Sequence, residues 1–62
     1  MQFSLTINLD SLSGETEAEL SRILRYWAGN LKHYELIDGT HETVSDSAYV
    51  PVGVWRIEPS PE

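Results

Sequence analysis

The sequence predicts a small α+β domain of β-α-β-β order, in which one amphipathic helix packs on a three-stranded, mainly antiparallel sheet. Three observations predict this fold: an alternating apolar segment at the N-terminus, a central segment with helical spacing, and two short extended segments after it. The 62 residues suffice for one domain, which we predict over residues 1–58. Residues 59–62 include two prolines and are predicted to form a disordered tail.

The first strand is predicted from a period of two over residues 3–9. The side chains on one side of an extended chain here are all apolar: Phe3, Leu5, Ile7 and Leu9. Polar residues occupy most positions between them, as is typical of a strand buried on one face only. The turn-forming residues 10–14 then end the strand.

The helix is predicted from Thr16 to about Glu35. Ser13 and Thr16 are both candidate N-caps, and Thr16 has the capping-box spacing to Glu19. The spacing of apolar and aromatic residues places one continuous stripe on the helix, which faces the sheet. The stripe consists of Leu20, Ile23, Leu24, Trp27, Leu31 and Tyr34.

Two signals compete at the end of the helix. Gly29 and Asn30 favour an earlier end, whereas the apolar period continues to Tyr34 and favours an end near Glu35. We predict the later end. Gly39 follows as the residue that adopts the left-handed conformation after the helix.

Two further strands are predicted over residues 41–46 and 52–58. The loop between them, 47–51, is of hairpin length. Pro51 is expected at the start of the last strand or on an edge, because proline has no N–H to donate to a ladder. The shortest connections place the last strand between the other two and antiparallel to both.

This arrangement predicts which residues are buried. Trp55 and Ile57 share the helix-facing side of the last strand with the apolar residues of the first strand, whereas Val52 and Val54 lie on the open face. The open face and the free edge of the first strand are candidate surfaces for self-association. Domains below about 70 residues rarely gain more than about 3–5 kcal/mol from a single core. Because the chain has no cysteine to form a disulfide, we predict a homo-oligomer.

Composition argues against several classes of partner. The chain has 4 Lys and Arg against 10 Asp and Glu, and its net charge of −6 argues against direct binding to nucleic acid or to an anionic membrane. No apolar run approaches the roughly 20 residues of a membrane span. The N-terminus lacks the basic region of a secretory signal, so a cytoplasmic location is expected.

The closing hairpin has a distinctive pattern, with Asp46 at the entry to the turn and Val52, Gly53, Trp55 and Ile57 on the strand that leaves it. This pattern and residues 19–25 of the helix resemble small accessory proteins encoded by actinobacterial viruses. Residues 47–51 depart from that group, because they replace its usual Asn-Gly turn. The resemblance implies a viral accessory protein that works inside a host bacterial cell. It implies no assigned activity.

No catalytic motif is present in the sequence. Histidines, serines and carboxylates occur without a nucleophile elbow or a glycine-rich phosphate loop, and so thin a domain has little room for a pocket. His33, Asp38, His41 and Glu42 are close in sequence, but their spacing matches no metal-binding signature. Histidines near a helix end commonly complement its dipole. We therefore predict no enzyme, no metal site and no cofactor.

Exposed aromatic and basic residues are the candidates for a partner-binding surface, because tyrosine and arginine are enriched at binding hot spots. Tyr26 beside Gly29 on the polar side of the helix is predicted to leave a shallow notch, and Tyr49 is a candidate anchor in the hairpin loop. The predicted partner-binding residues are Arg22, Tyr26, Gly29, His33, Tyr49, Val52 and Val54.

These observations favour a small, acidic, non-enzymatic protein-interaction module that self-associates and binds or modulates a host or viral protein. One alternative is an acidic mimic of a nucleic-acid backbone that inhibits a host DNA-binding protein. Against the mimic, Arg22, Arg25 and Lys32 interrupt any continuous stripe of carboxylates on the helix. A second alternative, a hydrolytic or metal-dependent enzyme, requires a site that joins His33 to His41.

Overall fold

The predicted fold class is confirmed in a computed structural model, which describes residues 1–61. One helix packs on a three-stranded sheet, and the strand order β1-β3-β2 is antiparallel throughout. Two short 3-10 turns, Leu9–Ser11 and Leu31–His33, follow the first strand and the helix. The main elements are β1 (Gln2–Ile7), α1 (Thr16–Asn30), β2 (His41–Ser45) and β3 (Pro51–Glu58).

Strand register places one apolar layer beneath the helix. Trp55 in the central strand pairs with Leu5 of β1 on one side and with Glu42 of β2 on the other, so all three share a face. Trp55 is fully buried, as predicted. The buried core residues are Ile23, Val44, Val52, Trp55 and Ile57.

Val52 lies in the core, and its predicted place on the open face is wrong. The β2–β3 register pairs Val44 with Gly53 but the next residue, Ser45, with Pro51, which leaves Val52 as an extra residue in a bulge. A bulge breaks the period of two, so Val52 lies on the core side of the sheet. Only 4% of the Val52 surface is exposed. Val54 is on the opposite, open face, as predicted, and is half-buried.

The predicted first strand is two residues too long. It ends at Ile7, because the Asn8 side chain accepts a 3.0 Å hydrogen bond from the Asp10 N–H and starts a 3-10 turn. Leu9, predicted in the core layer, is 47% exposed in this turn. Phe3 and Leu24, also predicted in that layer, are 44% and 46% exposed. The sequence therefore assigns more side chains to the core than a single copy buries.

The helix begins at Thr16, as predicted, but its N-cap and its end differ from the prediction. At its start, the N-cap is Glu15, whose side chain makes no capping hydrogen bond, and Glu19 bonds elsewhere instead of forming a capping box with Thr16. At its end, the Asn30 side chain donates a 2.6 Å hydrogen bond to the Tyr26 carbonyl. The α-helix ends at Asn30 rather than near Glu35, because the chain tightens there into the 3-10 turn Leu31–His33.

The connection to the hairpin follows the prediction more closely. Gly39 has the predicted left-handed conformation, with a φ of +95°, but it lies in the turn before β2 rather than directly after the helix. Pro51 is the first residue of β3. None of the helices in the described part of the chain is long and apolar enough to span a bilayer. In the predicted tail, Ser60 accepts a hydrogen bond from the Met1 amino group at 2.6 Å, whereas Glu62 lies outside the described residues.

Candidate functional site

A groove of about 330 Å³ lies between α1 and the β2–β3 hairpin. Its apolar and aromatic lining comes from both elements and from the segment after the helix. These residues are Ile23, Tyr26, Trp27, Tyr34 and Tyr49. Its polar lining consists of Arg22, Glu42, Thr43, Ser45 and Asp46.

Asp46 fixes the hairpin loop from its base. Its carboxylate accepts hydrogen bonds from the N–H groups of Ala48 at 2.9 Å, Val50 at 3.0 Å and Ser13 at 3.2 Å. Only 2% of the residue is exposed. The pKa of Asp46 is held below its usual value of 3.8 by these hydrogen bonds, and the bond from the Val50 N–H has the largest effect. Burial acts in the opposite direction. One carboxylate thus joins both sides of the loop to the segment before the helix.

Glu19 holds the same loop from the helix. Its carboxylate accepts two hydrogen bonds from Ser47, one from the N–H at 3.0 Å and one from the hydroxyl at 2.9 Å. Arg22, one turn later, approaches the same carboxylate at 3.8 Å. The loop is therefore bonded at its base and to α1, which fixes the hairpin relative to the helix.

Tyr49 projects from this fixed loop. Its side chain is 88% exposed, and its φ of +62° lies in the left-handed region that L-residues rarely adopt. The Tyr49 N–H donates to the Asp46 carbonyl at 2.9 Å, so the turn that presents the ring is hydrogen-bonded. Tyr26, 53% exposed on α1, lines the same groove and packs edge-on against Trp27 at 5.1 Å.

The guanidinium of Arg22 lines the groove, and not all of its N–H donors have a partner among residues 1–61. One terminal nitrogen lies 3.5 Å from the Ser45 carbonyl oxygen, at the free edge of β2. Its Nε is buried and has no hydrogen-bond partner among residues 1–61. A guanidinium carries five N–H donors, so Arg22 can donate further hydrogen bonds to a group that enters the groove.

Tyr34 and Glu42 form the end of the groove nearest the aromatic core. The Tyr34 hydroxyl donates to a Glu42 carboxylate oxygen at 2.9 Å, and its ring packs edge-on against Trp55 at 5.2 Å. The hydrogen bond to Glu42, together with burial and the nearby negative charge, raises the pKa of Tyr34 above 10.0. Glu42 thereby keeps its carboxylate within the groove rather than in open solvent.

We expect Tyr34 to titrate later than a free tyrosine when the protein is made alkaline. Since its folded pKa is raised, its contribution to stability is fully present below pH 10 and is lost as the pH rises through the folded pKa. A near-ultraviolet absorbance titration of the three tyrosines checks this. Tyr34→Phe should remove the step at highest pH. If that step persists in the variant, the raised pKa belongs to another tyrosine.

The structure brings together three of the predicted partner-binding residues, Arg22, Tyr26 and Tyr49. Gly29 and His33 are exposed but do not line the groove. A Cβ at Gly29 would meet nothing within 4 Å, so no close approach in the described residues requires glycine there. The two valines lie elsewhere, one in the core and the other on the open face of the sheet.

In the described part of the chain, the structure does not bring the four candidate metal ligands together. These are His33, Asp38, His41 and Glu42. Within residues 1–61, no three His, Asp or Glu side chains lie close enough together to hold a metal ion. His41 has a different contact, 2.9 Å from its Nδ1 to the Gly39 carbonyl oxygen. Glu42 bonds to Tyr34, as described above.

Comparisons with protein-family models, with curated proteins and with solved structures find no match to this chain. The resemblance to accessory proteins of actinobacterial viruses therefore stays a prediction. What the groove can bind follows from its own chemistry.

Proposed function

We propose that this domain is a non-enzymatic protein-interaction module that binds a basic segment of a partner protein in the groove between α1 and the hairpin. The single observation that supports it most is the convergence of Tyr26, Tyr49 and Arg22 on one groove. Tyrosine and arginine are, with tryptophan, the residue types enriched at the hot spots of protein interfaces. The hydrogen bonds that the Asp46 and Glu19 carboxylates accept fix the loop before binding, which lowers the entropic cost of ordering it.

The charges favour a basic partner. The whole chain carries −6, and Glu42 places a carboxylate within the groove. The charge of Arg22 is offset by Glu19 at 3.8 Å. The exposed faces of Tyr26 and Tyr49 suit a cation, because an ammonium or guanidinium is attracted to an aromatic face. A lysine or arginine side chain of the partner fits this combination.

The acidic mimic of a nucleic-acid backbone receives less support. A mimic requires carboxylates that point outward along one surface, but four of them bond within the domain. Ser4 donates to Glu58 at 2.9 Å in the same way as Tyr34 does to Glu42. The carboxylates with internal partners are Glu19, Glu42, Asp46 and Glu58. The proposed partner is a host or viral protein. That this chain is itself viral is inferred from the resemblance alone.

Tyr49→Ala tests the groove. We expect wild-type protein to bind an immobilised lysine-rich peptide, and the variant to bind it at least about tenfold more weakly, as for an aromatic hot spot. Ile37→Ala is the matched control, because Ile37 is 53% exposed and does not line the groove. Binding is measured by surface plasmon resonance, with a glutamine-substituted peptide of the same length for comparison.

Salt separates the two candidate functions. Aromatic contacts should retain part of the binding at high salt, whereas a pure charge mimic should lose it steeply. Equal binding by wild type and Tyr49→Ala, with loss of both at high salt, would favour the mimic. Equal affinity for the lysine and glutamine peptides, or no binding to either, would overturn the proposal of a basic partner.

A further inference from the structure

The sheet has two outer edges, and among residues 1–61 only that of β2 has an internal contact at its free backbone groups. Arg22 donates to the Ser45 carbonyl there. In β1, Asn8 donates to the Val52 carbonyl at 2.8 Å, so the even-numbered residues direct their backbone groups to β3. The N–H and C=O groups of Phe3, Leu5 and Ile7 therefore point away from the sheet.

The edge of β1 has neither the charge, nor the proline, nor the bulge that commonly keep edge strands apart. Gln2–Ile7 contains no charged residue and no proline, and the bulge of this sheet lies on the other side of β3. Natural edge strands are usually protected by charge, proline, a bulge or a covering segment. An uncharged strand of six residues is thus free to pair with another strand.

An exposed apolar flank lies beside this edge. Phe3 faces the helix side of β1, and its ring is 5.7 Å from that of Trp55, yet it is 44% exposed. Leu24 is 46% exposed on α1. Two residues turn a helix by about 200°, so Leu24 lies opposite both Arg22 and Tyr26. Because those two line the groove next to β2, Leu24 lies on the β1 side.

The exposed surface is also large for the size of the chain. It measures 4435 Å², whereas a compact monomer of 7.0 kDa is expected to expose about 4,000 Å². The excess agrees with the half-exposed residues that the sequence assigns to the core.

We propose that two copies of this chain pair their β1 strands antiparallel, so that one sheet continues through both. A register centred on Leu5 places Phe3 of one copy opposite Ile7 of the other, and the outward backbone groups of both strands are then paired. Antiparallel pairing keeps both helices on the same face of the continuous sheet. The Leu24 flank of each helix then faces the second copy, and the groove at β2 stays open at the far edge.

Sedimentation equilibrium over a wide concentration range tests this pairing. The mass should rise from 7.0 kDa towards twice that value. Leu24→Lys should raise the dissociation constant about tenfold or more, because it places a charge on the covered flank. Tyr26→Lys is the matched control: it introduces the same side chain at a similarly exposed helical position, and should leave the mass unchanged. Circular dichroism checks that both variants fold.

Hydrogen exchange locates the contact in the unaltered protein. The amides of Phe3, Leu5 and Ile7 should gain protection as the concentration rises, whereas that of Thr43 at the other edge should not. High salt should strengthen this self-association, because it screens the repulsion between two copies of charge −6. The same salt should weaken the binding of a basic peptide, which depends on attraction between opposite charges. A mass of one copy at the highest concentration, a dimer indifferent to Leu24→Lys, or protection that appears at β2 would each overturn the proposal.

Discussion

Gly53→Ala is expected to leave little or no folded protein at room temperature. A Cβ at this position would overlap the Thr6 carbonyl oxygen and lie 3.0 Å from the Ile7 Cα. Both obstacles belong to the backbone of β1, so no side-chain rotation relieves the overlap, and β1 must separate from β3. Overpacking against side chains typically costs about 1–3 kcal/mol, and a backbone obstacle costs more. A domain this small has only about 3–5 kcal/mol to lose.

Gly29→Ala provides the control with an identical chemical change. Its added Cβ meets nothing within 4 Å on an exposed turn of α1, so we expect a gain in stability of about 0.5 kcal/mol. Thermal unfolding by circular dichroism, together with Trp55 fluorescence, compares the two variants. A Gly53→Ala protein that melts within a few degrees of the wild type would contradict the pairing of Gly53 with Ile7.

The order of elements was predictable because it depends on local patterns and short connections. The alternation of Phe3, Leu5 and Ile7 predicts β1, and the hairpin brings the last two strands together without a long loop. With the hairpin and a single helical crossover, placing β3 in the centre is the arrangement that makes it antiparallel to both neighbours, as observed. The same reasoning predicted the burial of Trp55, because Trp55 lies on the helix-facing side of the central strand.

The errors arise where one local interaction changes the period. A bulge of one residue moves Val52 from the open face to the core, and no composition signal marks that residue as the extra one. The Asn8 side chain bonds to the backbone where β1 ends, and a 3-10 turn follows Asn30 where α1 ends. In both elements the spacing of apolar residues continues beyond the observed end, to Leu9 in β1 and to Tyr34 in α1. A prediction from that spacing therefore makes both elements too long.

The candidate site was predictable as residue types but not as a site. Exposed tyrosine and arginine indicate contact residues wherever they occur, so Tyr26 and Tyr49 could be named singly. Their convergence depends on hydrogen bonds between residues distant in sequence, such as Ser47 to Glu19 and Ser13 to Asp46. The one local signal is Asp46 itself, since an aspartate before a short loop commonly accepts hydrogen bonds from the N–H groups that follow.

Asp46→Asn is expected to lower the melting temperature at neutral pH by about 5 °C or more. Asparagine keeps one oxygen to accept from Ala48 and Val50, but its amide nitrogen replaces the oxygen that accepts from Ser13. The loop would then lose its bond to the segment before α1, and an N–H donor would face another donor. Because Tyr49 projects from this loop, peptide binding should weaken as well.

Acid titration shows whether the negative charge of Asp46 is responsible. Its folded pKa is lowered, so its contribution to stability is fully present above the usual value of 3.8 and is lost as the pH falls through the folded value. Wild-type stability should therefore decline more steeply than that of Asp46→Asn between about pH 5 and the acid limit. Asp38→Asn, at an exposed position in the turn before β2, should keep the wild-type melting temperature at neutral pH. Equal slopes in the wild type and Asp46→Asn would show that the loop does not depend on this carboxylate, and the preformed loop for the partner would lose its principal support.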